Sequence, residues 1–367
     1  MSLSILSIGT AVPDTVVTAA QAEAVARALC NSPNGAAWLP KIYAGTGITT
    51  RHLSITRAVL DDVIAGSKHS GSAFLPTGDV DDAGPTTARR MVHYAEHATP
   101  LALKAARQAL ERSTLASRDI THLVTISCTG FQAPGVDVAL IKGLDLALTT
   151  ERTHVGFMGC HAALNGLRVA RGFADADAAS RILVCAVEVC SVHYHYGFDA
   201  QRAVANSLFA DGAAALIGVP DSEGPDDAWR LAASGACLFP DSEAAMSWSI
   251  GDHGFVMTLS RQIPALIGRS LAPFMIGWLA RHGLALADVA TWAVHPGGPR
   301  IVTAVEEALG LDTSATAASR AILDEYGNMS SPTILFVIDR LRRGNAPRPC
   351  VAIGFGPGLN AEVALFL

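Results

Sequence analysis

The sequence predicts an α/β protein with a mixed or parallel sheet and an internal duplication. Short apolar segments of strand length alternate with longer segments of helical spacing along the chain. Arg181–Glu188 is apolar up to its terminal glutamate and predicts a buried strand, whereas Ala95–Leu115 repeats leucine and alanine at helical spacing. Both halves contain a strand, a glycine-containing turn and a helix. The polar stretch Pro220–Trp229 lies between them, so we divide the chain into residues 1–225 and 226–367.

The N-terminal half begins with a strand and a helix. Ser2–Ile8 predicts a strand because its apolar run ends at the turn Gly9–Pro13. Thr18–Cys30 predicts an alanine-rich helix, and the glycine, serine, aspartate and proline residues between 66 and 85 predict an exposed loop. The remaining elements predicted in this half are one helix, Cys160–Phe173, and three strands, His122–Ser127, Thr153–Phe157 and Asp211–Val219.

The C-terminal half repeats this alternation. Its predicted strands are Ala232–Leu238, Gly254–Leu259, Thr291–Val294, Val351–Phe355 and Glu362–Leu367. Its predicted helices are Ile263–His282, Ile301–Leu309 and Ser330–Arg343. The first of these helices contains the most apolar stretch of the chain. Arg269 interrupts that stretch, which favours a buried core helix over a membrane span.

Composition excludes several classes of protein. Of the 367 residues, 50% are hydrophobic and 16% are charged, which excludes a disordered chain. The net charge of −6 argues against a nucleic-acid partner. The seven cysteines form no CxxC pair, which argues against a disulfide framework and a zinc knuckle. The first residues lack the basic and long apolar segments of a secretion signal, so we expect a cytoplasmic protein.

The first candidate site is the turn Gly156–Ala163, where Cys160 lies between a predicted strand and a predicted helix. Backbone N–H groups at the start of a helix favour a thiolate. A thiolate at this point can attack a thioester carbonyl, and the neighbouring glycines allow a substrate to approach closely. The alternative is a buried cysteine with a purely structural role.

The second candidate site is Trp292–Pro299, where His295 leaves an apolar strand. A histidine there can activate a thiol or donate a hydrogen bond to an oxyanion. The alternative is a histidine that caps the end of the strand. His193 and His195 form an HxH pair but lack a third ligand, so we predict no metal site.

The third candidate site is Tyr326–Thr333, in which the side-chain amide of Asn328 is a potential donor to a carbonyl oxygen. The alternative is an N-cap role, because asparagine and serine are preferred helix caps and proline suits the first turn. Alone, this segment is a weak signal.

Together, Cys160, His295, Asn328 and the terminal segment Gly354–Gly358 resemble the type III polyketide synthases, the chalcone synthase-like branch of the thiolase superfamily. The resemblance covers nearly the whole chain, is weakest over residues 31–90, and includes the segments Cys128–Asp137 and Ser207–Ala214. It implies a five-layered αβαβα thiolase-like duplication with the nucleophilic cysteine in the first half and the histidine and asparagine in the second. It also implies a homodimer.

The resemblance implies an acyltransferase that uses coenzyme A thioesters as substrates and holds no metal or permanent cofactor. Cys160 would accept a starter acyl group from an acyl-CoA, and malonyl-CoA would lose CO2 to give an enolate that attacks the Cys160 thioester. His295 and Asn328 would stabilise the thioester oxyanion, and His295 would hold Cys160 as a thiolate. Repeated extension and cyclisation would give a pyrone, resorcinol or phloroglucinol.

The resemblance also implies a substrate pocket. Phe209 matches a gatekeeping phenylalanine between the CoA tunnel and the cavity, whereas a second gatekeeping phenylalanine aligns with Met257, two residues after Phe255. Four further positions are assigned to this pocket: His193, Trp248, Ala133 and Cys128. Plant chalcone synthases carry threonine at the first, glycine at the second and, at the third, a methionine that reaches across the dimer. We expect Trp248 to narrow the cavity if it points inward.

The CoA phosphates need cations. Lys41 matches one basic position at the family's CoA tunnel, and Arg51 and Arg300 are candidates to replace two others. The turn glycines Gly297 and Gly298 are assigned to the same binding region. The alternative for each basic residue is a solvated surface charge.

Three alternatives remain open from the sequence. The protein could be an alkylresorcinol or alkylpyrone synthase that uses fatty acyl starters. It could be a single-condensation enzyme like ketoacyl synthase III, although the terminal Gly354–Gly358 argues against this. It could be a non-catalytic acyl-CoA-binding relative, although the presence of all three candidate catalytic residues argues against that. The starter, the number of extensions and the cyclisation mode stay undetermined.

Overall fold

The N-terminal half of the protein contains seven strands and eight helices in the computed structural model, which describes residues 2–79 and 81–367. The strands are β1 (Leu3–Ala11), β2 (Thr15–Thr18), β3 (Thr50–Leu53), β4 (His122–Ser127), β5 (Glu151–Gly156), β6 (Ile182–Val189) and β7 (Asp211–Pro220). The helices are α1 (Ala19–Ala28), α2 (Pro33–Ala36), α3 (Leu39–Ala44), α4 (Arg57–Ala65), α5 (Thr87–Glu111), α6 (Val136–Gly143), α7 (Ala162–Ala176) and α8 (Ala200–Leu208). Val80, within the predicted loop, lies outside the described residues.

The C-terminal half contains the remaining six strands and four helices of the described chain. The strands are β8 (Trp229–Leu238), β9 (Met246–Gly251), β10 (Gly254–Leu259), β11 (Thr291–Val294), β12 (Cys350–Gly356) and β13 (Asn360–Phe366). The helices are α9 (Ile263–Ala280), α10 (Pro299–Leu309), α11 (Ala317–Tyr326) and α12 (Thr333–Arg343). Sequence reasoning missed several of these elements, among them α8, α11 and β9.

Nine strands form one mixed sheet in the order β11-β12-β13-β8-β1-β7-β6-β4-β5. The pairs β4–β5, β4–β6 and β11–β12 are parallel, and the other pairs are antiparallel. The halves join where Leu3–Ile5 of β1 pairs with Trp229–Leu231 of β8. The segment between β7 and β8 contains residues 225 and 226, and the division there stays a prediction.

The sheet and helices form five layers, αβαβα, as predicted. Strand side chains alternate between two faces, so each half of the sheet needs an apolar layer on both sides. Helix α5 packs on the outer face of the N-terminal half, and α9 and α10 pack on the outer face of the C-terminal half. Helices α7 and α12 lie between the halves and contact the inner faces of both. This central layer places the starts of α7 and α12 close together.

Helix α5 begins at Thr87, eight residues before the predicted start. The Thr86 side chain caps it by accepting from the Arg89 backbone N–H. Arg90 lies in the apolar core, where it donates to the carbonyls of Pro85, Val192 and Tyr194. A charged residue at a core position hides the helical period from sequence reasoning.

Helix α9 is the one helix of the described chain that is long and apolar enough to cross a membrane, with a mean hydropathy of 1.4 over 18 residues. Its side chains Ile267, Leu271 and Met275 are fully buried and pack against β12 and β13 in the C-terminal core. A core helix passes the same test of length and composition, so this packing supports the predicted core helix.

Candidate active site

Three loops bring the candidate catalytic residues together. Cys160 lies between β5 and α7, His295 follows β11, and Asn328 lies between α11 and α12. The Asn328 side chain lies close enough to the Cys160 thiol to act on its pKa, and its Nδ2 donates to the Gly297 carbonyl at 3.4 Å. The predicted cysteine, histidine and asparagine segments therefore meet beside the central helical layer.

The Cys160 thiol is buried two residues before the first residue of α7. Ser330 Oγ donates to its sulfur at 3.5 Å. Burial raises the pKa of the thiol to about 11, while the hydrogen bonds from Ser330 and Asn328 act to lower it. These two donors stabilise a thiolate that burial alone disfavours.

The His295 imidazole is buried, and neither ring nitrogen has a hydrogen-bond partner within the described chain. Its backbone N–H donates to Ile353 O at 2.7 Å, so the ring does not cap the strand. Burial, followed by the nearby His161, lowers the pKa of His295 to about 3. A neutral imidazole does not supply the positive charge that we expected to hold Cys160 as a thiolate, but it retains one N–H donor and one acceptor.

Asn328 does not cap α12, because the N-cap of that helix is Pro332. Its Oδ1 accepts from the Ser330 backbone N–H at 2.8 Å. Its own backbone N–H donates to the Leu208 carbonyl at 2.9 Å, in a short bridge to the Phe209 segment. These bonds fix the amide toward Cys160 and exclude the alternative N-cap role.

Replacing Ser330 by alanine is expected to slow alkylation of Cys160 at neutral pH by about two- to tenfold, because a hydrogen bond of about 0.5–1.5 kcal/mol to the thiolate is lost. The rate is measured with iodoacetamide and mass spectrometry of the Cys160 peptide. Ser180→Ala is the matched control, since Ser180 is also buried but its Oγ donates to Phe173 O. An unchanged or faster rate in Ser330→Ala would contradict the assigned hydrogen bond.

Sequence reasoning missed Glu188, a fully buried carboxylate at the end of β6. It accepts from the backbone N–H groups of Cys128 and Thr129 at 2.9 and 3.0 Å and from Ser331 Oγ at 2.5 Å. Burial raises the pKa of Glu188, and these hydrogen bonds act to lower it. The carboxyl ties the Cys128 loop to the segment beside Asn328. The sequence feature that could have indicated Glu188 is a glutamate at the end of an otherwise apolar strand.

Cys128 lies between this carboxyl group and the catalytic segment. Its thiol donates to Glu188 Oε1 at 3.2 Å and lies 3.4 Å from Ser330 Oγ. Burial raises the pKa of the Cys128 thiol well above its ordinary value, with the Glu188 charge adding to that effect. Cys128 is therefore a neutral thiol in the cavity wall.

His193, Trp248 and Phe255 form an aromatic wall. His193 stacks on Phe255 with ring centroids 4.2 Å apart, and Trp248 meets the His193 ring edge-on at 5.4 Å. His193 Nδ1 accepts from the Phe255 N–H at 2.9 Å, so Nε2 carries the proton donated to Thr129 O at 2.7 Å. Trp248 Nε1 donates to Cys128 O at 2.8 Å, and its ring lines the cavity. Trp248 points inward, as the narrowing of the cavity requires.

The hydrogen bonds of His193 and His195 within the aromatic wall leave the HxH pair poorly suited to bind a metal ion. Both His193 ring nitrogens are occupied by backbone groups, and His195 Nε2 donates to Phe255 O at 3.2 Å. Burial lowers the pKa of His193 to about 3 and that of His195 to about 4. Both rings serve as neutral structural groups of the wall.

Phe209 and Met257 line the cavity together with Phe255. Phe209 is the residue directly after α8, and Met257 faces Trp248 across the β9–β10 pair. Ala133 was predicted at the position from which a family residue reaches across the dimer, and that assignment stays a prediction. Ala133 is exposed in the loop after β4 and does not line the cavity, because the Cys128–Thr129 end of that loop faces inward and its tip turns away.

Arg51 was wrongly predicted to bind the CoA phosphates. Its guanidinium is buried and donates to Ser207 O at 2.7 Å and to Asn206 O at 3.3 Å at the end of α8. A guanidinium there satisfies free helix carbonyls and complements the negative end of the helix. Lys41 and Arg300 are exposed. Their role, and that of Gly297 and Gly298 at the start of α10, stays a prediction.

The cavity at Cys160 is predominantly apolar. It has about 1220 Å³ of space outside protein atoms, including its open mouth. Beyond the aromatic wall, side chains from α1 and α4 line the same cavity: Ala22, Val25, Val59, Leu60 and Val63. The hydroxyls of Tyr43 and Tyr194, also in the lining, lie 3.1 Å apart and hydrogen-bond to each other. Because the two hydroxyls bond to each other, they add little polarity to the cavity lining.

Family models match both halves of the chain. A model described as the N-terminal domain of chalcone and stilbene synthases matches residues 2–221, and one described as the C-terminal domain matches residues 230–367. Among curated proteins, the alpha-pyrone synthesis polyketide synthase-like Pks18 of Mycobacterium tuberculosis is 33% identical, over 98% of this chain and 89% of its own length. Bisdemethoxycurcumin synthase of Oryza sativa subsp. japonica is 32% identical, over 99% and 91% respectively.

Solved structures show the same similarity. PKS-I from the brown alga Ectocarpus siliculosus superposes with a TM-score of 0.91 at 34% identity, covering 100% of this chain and 98% of that one. The C-terminal type III polyketide synthase domain of Steely1 from Dictyostelium superposes with a TM-score of 0.88 at 27% identity, covering 100% and 99%. Both similarities extend over the five-layered fold.

Proposed function

Because the chain belongs to the chalcone and stilbene synthase family of type III polyketide synthases, we propose that it extends a long apolar acyl starter with malonyl units and cyclises the product to an alkylpyrone or alkylresorcinol. The family reaction is an iterative condensation that uses CoA thioesters. The proposed starter is argued from one observation: Cys160 and apolar side chains of helices α1 and α4 line the same cavity.

In the proposed mechanism, Cys160 is the nucleophile. Its thiolate attacks the starter acyl-CoA carbonyl, the thioester forms on Sγ, and CoA leaves as the thiol. The proton that the Cys160 thiol gives up ends on the leaving CoA sulfur, so the step leaves no net charge on the protein. Ser330 assists because its Oγ donates to the reacting sulfur, and Asn328 assists because it acts to lower the pKa of the thiol.

His295 and Asn328 then act on malonyl-CoA. Loss of CO2 leaves negative charge on the thioester oxygen, and we propose that the His295 imidazole N–H, which has no partner within the described chain, and the Asn328 amide Nδ2 donate hydrogen bonds to it. The resulting carbanion attacks the Cys160 thioester, forming a carbon–carbon bond and releasing the thiolate. Transfer of the extended chain back to Cys160 begins the next round.

The cavity composition supports a fatty acyl starter. An acyl chain gains about 0.8 kcal/mol for each buried CH2, so an apolar lining at α1 and α4 favours longer chains. Trp248 narrows the chamber at the aromatic wall, which disfavours a bulky multi-ring intermediate there. The mycobacterial relative Pks18 is described as an alpha-pyrone synthesis polyketide synthase-like protein, which supports the pyrone product class.

The function is tested by incubating the purified protein with malonyl-CoA and a panel of aromatic, short-chain and long-chain fatty acyl-CoA starters. Mass spectrometry is expected to show malonyl-dependent pyrones or resorcinols, formed fastest from long chains. Fastest turnover of aromatic starters would contradict the proposed starter, and release of linear 3-ketoacyl products would contradict cyclisation. Absence of CO2 release with every starter would contradict the malonyl-CoA reaction.

Replacing Ala22 by phenylalanine is expected to reduce kcat/KM for long-chain starters by at least about tenfold and to leave short-chain starters nearly unchanged. The reason is that a bulky ring in the lining occupies space that a long chain needs, at a cost of about 1–3 kcal/mol. Ala20→Phe is the matched control, because Ala20 lies on the same helix but is exposed. Equal losses for all chain lengths would contradict an acyl-binding role for α1.

Lys41, Arg300, Gly297 and Gly298 are proposed to form the CoA phosphate end of the site. Lys41 and Arg300 are exposed, and Arg300 lies in the first turn of α10, where backbone N–H groups favour anions. The double substitution Lys41→Ala, Arg300→Ala should raise KM for malonyl-CoA and leave KM for malonyl-pantetheine unchanged. Equal effects on both donors would contradict phosphate binding.

A homodimer is proposed, with the β5 edge of the sheet at its interface. Strand β5 has a free edge and half-exposed side chains, and Phe131 and Met158 nearby are 45% and 41% exposed. Sedimentation equilibrium is expected to give twice the chain mass of 38.2 kDa. Phe131→Asp should weaken this dimer, whereas Ile276→Asp on α9 should not. A single-chain mass would contradict the proposal.

We place the protein in the cytoplasm. The seven cysteines are free, which suits a reducing compartment, and α9 is packed in the core. Cell fractionation is expected to recover the protein in the supernatant without detergent, and recovery in the membrane pellet would contradict this placement.

A further inference from the structure

A cluster of His93, Glu96 and His97 lies on α5, outside the substrate cavity. The spacing i, i+3 and i+4 places the three side chains on one face of the helix. One potential ligand atom from each residue lies within 4.8 Å of the other two. The imidazole rings are stacked with centroids 3.9 Å apart. The cluster therefore presents two nitrogens and a carboxylate oxygen at one point.

Each histidine is oriented by a hydrogen bond from one ring nitrogen. His97 Nδ1 lies 2.9 Å from the His93 carbonyl and donates to it, which leaves Nε2 as the nitrogen with a lone pair. His93 Nε2 lies 3.0 Å from Ser54 Oγ, and Phe74 contacts the His93 ring edge-on at 5.0 Å. Metal-binding histidines are held in this way, with the second ring nitrogen bonded to a backbone carbonyl or another polar group.

We propose that His93, Glu96 and His97 form a binding site for a divalent transition-metal ion of the Zn²⁺ or Ni²⁺ class. His93 contributes Nδ1, His97 contributes Nε2 and Glu96 contributes one carboxylate oxygen. Two imidazoles with one carboxylate suit these ions, and the remaining coordination position is open to water. Glu96 is exposed and the two imidazoles are half-buried, so the site is accessible from the surface.

The proposed site is connected to the substrate cavity through two serines. Ser54 Oγ lies 3.0 Å from His93 Nε2 and 3.1 Å from Ser191 Oγ, and Ser191 lines the cavity. Ser191 also donates to the buried Asp211 at 2.5 Å. A metal ion bound to His93 would hold its ring in place, and the His93 ring begins the series of hydrogen bonds that leads through Ser54 to Ser191. We therefore assign the ion a structural role beside the cavity.

The test uses the full-length protein, freed of metal with a chelator and then titrated with Ni²⁺ by isothermal calorimetry. Ni²⁺ is chosen because it prefers imidazole, whereas Zn²⁺ also binds the free thiols. One Ni²⁺ per chain is expected, and His97→Gln and Glu96→Gln should each weaken binding by at least about tenfold. Saturation with Ni²⁺ should raise the melting temperature of the unmodified protein but not that of His97→Gln.

His122→Gln is the matched control, since His122 is a partly buried histidine with a single carboxylate, that of Glu151, at 3.8 Å. It should bind Ni²⁺ as the unmodified protein does. Absence of heat at millimolar Ni²⁺, or binding that is undiminished in both His97→Gln and Glu96→Gln, would overturn the proposal. Glu96→Gln keeps the proposal testable if His97→Gln fails to fold, because Glu96 is exposed.

Discussion

Replacing Cys160 by alanine is expected to abolish starter loading and to reduce product formation by about 10⁴-fold or more, because the substitution removes the nucleophile of a covalent mechanism. The acyl–enzyme adduct is measured by intact-protein mass spectrometry after mixing with a long-chain acyl-CoA. The unmodified protein should gain the mass of one acyl group, located on the Cys160 peptide. Cys160→Ala should gain none.

Cys190→Ala is the matched control for this experiment. Cys190 is a buried thiol in the same cavity lining, and burial raises its pKa well above the ordinary value. The Cys190 variant should load the starter on Cys160 at close to the original rate. Loading that survives in Cys160→Ala but disappears in Cys190→Ala would show that Cys190, and not Cys160, is the nucleophile.

The Cys160 variant should still release CO2 from malonyl-CoA. Decarboxylation needs donors at the thioester oxygen rather than the thiol, and His295 and Asn328 are unchanged by the substitution. Loss of loading with retained decarboxylation therefore separates the nucleophile from the oxyanion donors. Loss of both activities in a folded protein would show that the two functions share more groups than the structure indicates.

The fold was predictable where apolar periodicity was clear. Strand β4 has the predicted bounds, and β6 differs by one residue at each end, because each is a short apolar run with turn residues beside it. Helix α5 was predicted too short because Arg90 occupies a core position, where backbone carbonyls satisfy its guanidinium. Only the tertiary structure provides those carbonyls, so the sequence pattern could not indicate them.

The candidate site was predictable as three segments but not as a network. Cys160, His295 and Asn328 follow recognisable strand–turn and turn–helix patterns, and the structure places Asn328 beside the Cys160 thiol and the Gly297 carbonyl of the His295 loop. The role of Arg51 was not predictable, because the sequence does not indicate whether an arginine faces solvent or, as here, donates to carbonyls at the end of α8. The hydrogen bonds of Glu188 to Ser331 and of Ser330 to Cys160 form only when the folded chain brings β6, the Asn328 segment and the Cys160 turn together. The sequence could therefore not indicate a role for either residue.

Replacing Asn328 by alanine is expected to reduce malonyl-CoA decarboxylation by about 10²–10³-fold, because it removes one of two donors to the developing negative charge. CO2 release from labelled malonyl-CoA measures this step without a starter. Starter loading on Cys160 should fall much less, since Ser330 still donates to the sulfur. Asn345→Ala is the control, because Asn345 lies in the turn after α12 and away from the cavity. Equal losses of loading and decarboxylation in Asn328→Ala would contradict its role as an oxyanion donor.

His295 provides the second donor, and its protonation state gives a pH test. Because burial lowers the pKa of His295 to about 3, the imidazole stays neutral from about pH 5 to about pH 8. Decarboxylation should therefore show no loss as the pH rises through the ordinary histidine range. A rate that falls with the titration of a group near pH 6.5 would mean that the donor is an imidazolium. His295→Gln keeps an N–H donor and should retain more decarboxylation than His295→Ala, which keeps none. If the two variants are equally slow, the histidine contributes through something other than hydrogen-bond donation, and Asn328 is then the principal oxyanion donor of the site.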